Sequence, residues 1–238
     1  MSMLSLVQEF CARTNITVPV AVMGNTDTQV MQIKSLLNEV GNDMAVRGSW
    51  EGLTFEADFS TVALEDQGPM TTLAPNNFRN LKNKTIWDRT SVLPVCGPRD
   101  AADWQAMKAN LVQGPLYTYR IRGGHMLVNP APPAGNEWFF EYVSYNWILG
   151  ADGTSYRQYF LLDTDTVLVP ESVLLMGLRW TWKKEKGLEY AEDMRTYESQ
   201  LKDSFGRDGS KSNLHMDNRP TRAPTPGIFV TPMSWPLP

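Results

Sequence analysis

The sequence has little histidine and cysteine, two residue types that often catalyse reactions or bind metals. Its 238 residues include two histidines and two cysteines, and 22 Lys and Arg against 26 Asp and Glu give a formal net charge of −4. This balance predicts no strongly basic surface for nucleic acid. Cys11 and Cys96 lie far apart and in no CxxC pattern. We therefore expect buried free thiols in a reducing compartment.

Catalytic and phosphate-binding motifs are absent as well. The sequence contains no GxxxxGK(S/T), GxGxxG, HExxH or GxSxG pattern. A metal site needs several converging ligands, whereas His125 and His215 fall in a predicted hairpin tip and a polar linker. We therefore predict that the protein is not an enzyme, and that it has no catalytic residue, no metal site and no cofactor.

Long apolar runs are also missing. No stretch has the length of a membrane span, and residues 1–13 lack the basic start and the continuous apolar core of a signal peptide. The composition is 42% hydrophobic and 20% charged, which is typical of a folded globular protein. We expect a cytosolic product with no membrane partner.

Apolar residues recur at helical spacing in four or five segments. The first two are SMLSLVQEFCART and TQVMQIKSLLNEVG, the second with Asp27 as its predicted N-cap and Gly41 as its predicted C-cap. Asp100 is the predicted N-cap of a third helix, and Pro170 begins a fourth. A final helix is predicted from residues three or four apart, which are Leu188, Ala191, Met194, Tyr197, Leu201 and Phe205.

Strands are predicted among these helices, from about residue 50 to residue 160. In LYTYRIRGGHMLVNP, Gly123 and Gly124 suit a two-residue hairpin turn with positive φ. EWFFEYVSYNWIL is apolar on both alternating sets, which predicts a strand covered on both faces. The hairpin register gives two opposite faces, with Tyr119, Ile121, Met126 and Val128 on one and Arg120, Arg122, His125 and Leu127 on the other.

The polar face of this hairpin is unsuited to a core. It is well placed for contacts with a neighbouring molecule. We therefore predict a subunit or tail interface at Arg120, Arg122, Gly123, Gly124 and His125.

The C-terminal segment combines prolines with large apolar residues. RPTRAPTPGIFVTPMSWPLP, residues 219–238, contains six prolines. Proline donates no backbone hydrogen bond and pushes the preceding residue away from helical geometry, so this segment is predicted to be extended. The predicted fold class is α+β, a helical bundle of about four or five helices with an inserted small antiparallel sheet and an extended C-terminal tail. Residues 1–206 form the predicted domain, with a β region at about 50–160, and residues 207–218 are a polar linker.

Two pairs of carboxylates are candidates for chemistry. Asp163 and Asp165 in LLDTDTVLVPES could bind a divalent cation or act as acid and base. They could equally stabilise a turn and the start of the next helix, which is the interpretation we favour. Glu137 and Glu141 flank aromatic residues and could form a glycosidase pair, but the polar positions of a sheet explain them more simply.

The aromatic run between residues 138 and 147 is a further candidate. It could form a stacking platform for sugars or bases, although such platforms for nucleic acids normally include basic residues. Core or subunit-interface packing is the interpretation that we favour. The residues are Trp138, Phe139, Phe140, Tyr142, Tyr145 and Trp147.

Three longer segments carry a family resemblance. GPLYTYRIRGGHMLVNPAPPAGNEWFFEYVSYNWI, LLDTDTVLVPESVLLMGLRWTWKKEKGL and YAEDMRTYESQL resemble the head-to-tail adaptor, or connector, proteins of tailed bacteriophages, particularly short-tailed ones. The leading helix pair with SLLNEVG also fits. The likeness covers most of residues 4–205, and its motifs are structural rather than catalytic.

The resemblance implies a virion structural protein at the head–tail junction, present in the host cytoplasm during assembly. It implies a ring of twelve copies that joins the portal protein to a downstream tail or nozzle protein, with double-stranded DNA passing through without specific binding. It also implies a C-terminal extension that docks on the portal. The predicted docking residues are Arg222, Pro224, Pro226, Ile228, Phe229, Val230, Met233 and Trp235.

Two alternatives remain open at this point. One is a virion-associated cell-wall glycosidase that uses Glu137, Glu141, Asp163 or Asp165. The other is a neck or tail-completion ring that does not contact the portal.

Overall fold

The computed structural model describes residues 1–109, 114 and 116–209. Within these residues the chain forms six helices and eleven strands. The helices are α1 (Met3–Thr14), α2 (Thr28–Arg47), α3 (Met70–Leu73), α4 (Ala101–Ala109), α5 (Glu171–Glu185) and α6 (Ala191–Arg207). The strands are β1 (Thr54–Ser60), β2 (Asp66–Pro69), β3 (Phe78–Leu81), β4 (Trp87–Asp88), β5 (Leu93–Pro94), β6 (Thr118–Arg122), β7 (His125–Asn129), β8 (Glu137–Ser144), β9 (Ile148–Leu149), β10 (Tyr156–Arg157) and β11 (Thr166–Val167).

The predicted fold class is wrong in its proportions. The chain is mixed α+β but rich in strands, with three antiparallel sheets in place of one small sheet within a helical bundle. The sheets have the orders β1-β8-β4-β5 with β3 also paired to β8, β10-β9-β11, and β2-β7-β6. Several of these strands have two to four residues. So short a strand shows no alternating pattern in the sequence.

The described chain divides into two compact units. The first, which we call the helical unit, comprises Met1–Phe55, Ala74–Leu81 and Tyr142–Gly209. The second, the strand unit, comprises Glu56–Leu73 and Lys82–Glu141 among the described residues.

Four helices build the core of the helical unit, namely α1, α2, α5 and α6. Ser2 is the N-cap of α1, and its hydroxyl accepts a hydrogen bond from the Ser5 amide. Its apolar stripe is buried, and Phe10 meets Trp182 of α5 edge to face with ring centroids 5.8 Å apart. Asp27 caps α2 by accepting from the Gln29 amide at 2.8 Å, as predicted.

The predicted C-cap at Gly41 is wrong. α2 continues to Arg47, and Gly41 is buried within it. A Cβ atom at Gly41 would overlap the indole ring of Trp147, which donates from Nε1 to the side-chain oxygen of Asn42 at 2.9 Å. Gly41 is therefore a packing residue, because it lets a tryptophan lie directly on the helix backbone.

Replacing Gly41 with alanine is expected to lower the free energy of unfolding by about 1–3 kcal/mol, since the added methyl group overpacks a filled site. Urea denaturation followed by tryptophan fluorescence measures the change. Gly206→Ala in α6 is the matched control, because a Cβ atom there meets no other atom within 4 Å. An unchanged midpoint for Gly41→Ala would contradict the close packing.

The strand unit has its own buried side chains. Asp100 accepts from the Asp103 amide at 2.7 Å and so caps α4, as predicted, and Trp104 of that helix is fully buried. On β8, Trp138 and Phe140 are buried whereas Glu137 and Glu141 are exposed. The strand predicted to be covered on both faces is thus open on one face over this part.

The helices of the described residues do not have the dimensions and composition of membrane spans. None of them is long and apolar enough to cross a membrane.

Candidate interaction surfaces

The β6–β7 hairpin has the predicted turn and register. Arg122 pairs with His125 across the turn, and Tyr119 pairs with Val128 further along the ladder. Gly123 and Gly124 have φ angles of +60° and +78°. Both angles lie in the left-handed region, where residues with a Cβ atom are disfavoured. The two glycines therefore fix a tight turn.

The two faces of the hairpin differ as predicted. Tyr119, Met126 and Val128 are buried, and burial raises the pKa of Tyr119 to about 12. On the other face Arg122 is exposed, and Arg120 and His125 are half-buried. The polar face is thus accessible at its tip, although Leu127 on the same face is buried.

His125 of β7 pairs with an aspartate on the neighbouring strand. Its Nδ1 lies 2.9 Å from an oxygen of Asp66, and the Gly68 amide donates to the same carboxylate at 2.9 Å. The Gly68 amide first, and His125 second, hold the pKa of Asp66 below its usual value. The histidine thus joins β2 to β7 and is half-buried in this contact.

The arginines beside the turn are not neutralised. Arg120 and Arg122 have no ion-pair partner among the described residues. The same holds for Arg99, whose amide donates to the carbonyl of Tyr119 on β6 at 3.0 Å. Arg99 therefore lies along the outer edge of β6. We call Arg99, Arg120 and Arg122 the arginine edge.

A groove in the helical unit was not predicted from the sequence. It has a volume of about 450 Å³ and an apolar lining that includes Phe10, Leu175 and Trp182. At its rim, Asp193 of α6 pairs with both Arg179 and Lys183 of α5. Such a groove suits an apolar side chain flanked by polar groups. No local pattern reveals it, because its walls come from α1, α5 and α6.

The aspartate pair has a structural role. Asp165 is fully buried and accepts from the amides of Leu161 and Leu162, both at 2.9 Å, and from Arg157 at 3.0 Å. Asp163 accepts from the Met23 amide at 2.8 Å. Because these acceptors are occupied by backbone and guanidinium donors, the turn-stabilising interpretation is the better one.

The main chain of the same two aspartates holds the start of α1. The Met3 amide donates to the Asp165 carbonyl at 2.8 Å, and the Leu4 amide donates to the Asp163 carbonyl at 3.1 Å. The first amides of a helix have no partner within it. The aspartate turn therefore supplies acceptors for the helix start.

Glu137 and Glu141 do not have the spacing of a glycosidase pair. They lie four residues apart on β8, so their Cα atoms are about 13 Å apart at about 3.3 Å per residue. Paired glycosidase carboxyl groups are about 5–9.5 Å apart. Glu137 accepts a hydrogen bond from the Ser60 hydroxyl, and both glutamates occupy the exposed positions of the strand.

The aromatic run serves mainly as core. Trp138, Phe140, Tyr142 and Trp147 are all almost completely buried. Phe139 is half-buried, with the guanidinium of Arg89 3.4 Å from its ring centroid. Most of these rings are therefore not accessible for stacking on a ligand.

The predicted docking tail lies outside the described residues, as do His215 and most of the polar linker. Among the described residues, no cluster of three or more His, Cys, Asp or Glu side chains could hold a metal ion.

The sequence was also compared with known proteins. No protein-family profile and no curated protein matches it.

Proposed function

We propose that this chain is a structural virion protein that forms a ring joining the portal of a phage head to the tail. The ring has about twelve copies and continues the DNA channel. The observation that best supports assembly is the exposed hairpin tip with its unpaired arginines. A surface of this kind suits a protein partner, because arginine forms paired hydrogen bonds with carboxylates.

The segments that carry the phage resemblance stabilise the fold. The aspartate turn accepts hydrogen bonds from backbone amides and from Arg157, and the aromatic strand packs its side chains inward. These roles support a protein that acts through its surfaces. The net charge of −4 supports a channel through which DNA slides, because each cationic contact with phosphate adds salt-dependent affinity.

Electron microscopy of the purified chain, alone and mixed with the portal protein of its phage, tests this function. We expect rings of about twelve copies that bind coaxially to the portal. A chain that stays monomeric and does not bind the portal would contradict the proposal. Rings that form but leave the portal bare would favour the neck or tail-completion alternative.

Replacing both Gly123 and Gly124 with valine is expected to abolish ring assembly. Valine resists a positive φ angle, so the turn would open and the two strands would lose their register. Size-exclusion chromatography with light scattering measures the assembled fraction. The control is Gly153→Val, which also changes a glycine with a positive φ angle, here in a loop of the helical unit. Normal rings from the double variant would refute the importance of the hairpin.

A further inference from the structure

The strand unit has an open sheet face that the proposed function does not yet use. Side chains alternate along a strand, so Glu56 and Asp58 of β1 lie on the same side of their strand, as do Glu137, Phe139 and Glu141 of β8. The four carboxylate residues are exposed and Phe139 is half-buried. β1 and β8 are neighbours in the sheet, and their exposed positions form one surface.

β4 extends this surface beyond β8. Trp87 pairs with Phe139 in the register and is also half-buried, so both side chains lie on the open face. Arg89 covers Phe139 and pairs with Glu56. A depression of about 320 Å³ lies among these side chains. We call this surface the acidic sheet face.

Half of the negative charge on this face is not neutralised. Asp58, Glu137 and Glu141 have no ion-pair partner among the described residues, and the Glu137 carboxylate accepts a hydrogen bond from the Ser60 hydroxyl. Arg89 is already paired with Glu56, and Lys84 offsets one of the remaining negative charges. The face therefore combines excess negative charge with two partly exposed aromatic rings.

The arginine edge of the hairpin has the opposite character. Arg99, Arg120 and Arg122 are positive and unpaired within the described chain. One molecule therefore carries two surfaces of opposite charge, both within the strand unit. Such surfaces match as the two sides of a head-to-tail contact between identical subunits.

The arginine edge and the acidic sheet face of one chain do not face each other. Trp138 points to the opposite side of β8 from Phe139, and its ring lies 5.5 Å from that of Tyr117. Tyr117 immediately precedes β6, so the chain leading into the hairpin packs on the inner side of β8. The acidic sheet face looks away from this side, so the arginine edge does not reach it within the described residues of one chain.

We propose that the arginine edge of one copy docks on the acidic sheet face of the next copy around the ring. This inference rests on the proposed ring function and names the contact that closes the ring. The arginines pair with Asp58, Glu137 and Glu141, while Phe139 and Trp87 supply the apolar centre of the interface. Because one patch binds a different patch, the contact repeats head to tail until the rotation closes.

Charge reversal tests this contact. The variant Arg120→Glu/Arg122→Glu and the variant Glu137→Arg/Glu141→Arg are each expected to raise the concentration needed for ring assembly at least tenfold. Combining all four changes in one chain restores opposite charges across every contact, so rings should return to near the normal concentration. Mixing the two double variants in equal amounts should also restore rings, in which the variants alternate, since opposite charges then meet at every contact.

Arg195→Glu and Asp203→Arg serve as matched controls. Both are exposed residues of α6 in the helical unit, and their reversal should leave assembly unchanged. Circular dichroism confirms that each variant is folded. Should either reversal unfold the strand unit, Arg122→Gln and Glu141→Gln provide milder changes, each expected to weaken assembly and to reduce its dependence on salt.

The outcomes separate this contact from the proposed function. Normal rings from both double variants would overturn the contact while leaving the ring in place. Failure of the fourfold variant to recover, although folded, would also overturn it. If the unchanged chain forms no ring with or without portal protein, the proposed function and this inference fail together.

Discussion

A chain that ends at Gly209 is expected to melt at the same temperature as the full protein and to lose at least 99% of its affinity for the portal. All the core residues of the described chain precede this point, the last of them being Leu201. The removed segment carries Phe229 and Trp235. Buried aromatic anchors of this kind are typically worth about 2 kcal/mol or more each, which is about 30-fold in affinity.

Point variants refine this result. Phe229→Ala and Trp235→Ala in the full chain should each weaken portal binding by about 30-fold or more, as measured by surface plasmon resonance. Thr231→Ala and Ser234→Ala, from the same segment, should have little effect. Portal binding should also slow tryptic cleavage after Arg222, because a docked segment is inaccessible to protease.

Two results would contradict a docking tail. A truncated chain that melts many degrees lower would mean that the tail belongs to the protein's own core. A truncated chain that still fills portal-containing heads would mean that the ring docks through its body. The tail contact is repeated around the ring, and many weak contacts together bind tightly. Loss of portal binding by the truncated chain is therefore a demanding test of the docking tail.

Asp165→Ala is expected to lower the free energy of unfolding by about 3–5 kcal/mol, the usual cost of removing one partner of a buried ion pair. The carboxylate is fully buried and accepts from Arg157 and from the amides of Leu161 and Leu162. Its loss leaves these donors without an acceptor. Urea denaturation followed by circular dichroism measures the effect.

Asp152→Ala provides the control for this prediction. Asp152 also accepts from backbone amides, those of Thr154 and Ser155, but it is fully exposed, so water replaces it as acceptor. Asp163→Ala, which removes the acceptor of the Met23 amide, should fall between the two. A midpoint for Asp165→Ala equal to that of Asp152→Ala would show that the buried network contributes little.

The features that the sequence predicted correctly depend on neighbouring residues. Asp27 and Asp100 cap helices through amides two or three residues away, and Gly123 and Gly124 close a turn between adjacent strands. The chemistry of each is complete within a few positions. A single sequence is therefore enough to locate them.

The features that were missed depend on residues far apart in the chain. Gly41 fits a C-cap by local rules, but Trp147 packs on it from more than a hundred residues away. The two-residue strand β4 exists because β8 pairs with it. The turn role of Asp165 was predicted, but the hydrogen bond from the Met3 amide to its carbonyl joins residues more than 150 positions apart and was not. No spacing within one segment encodes such partners.

The discontinuous helical unit also determines the order in which the protein can fold on the ribosome. α2 packs on α5, yet more than a hundred residues separate them, which takes on the order of 10 s to synthesise. During that time the apolar stripe of α2 lacks its α5 partner, whereas the β6–β7 hairpin can close within microseconds of its emergence. Nascent chains that stop before α5 should therefore engage chaperones, and the helical unit should be the source of aggregation during expression.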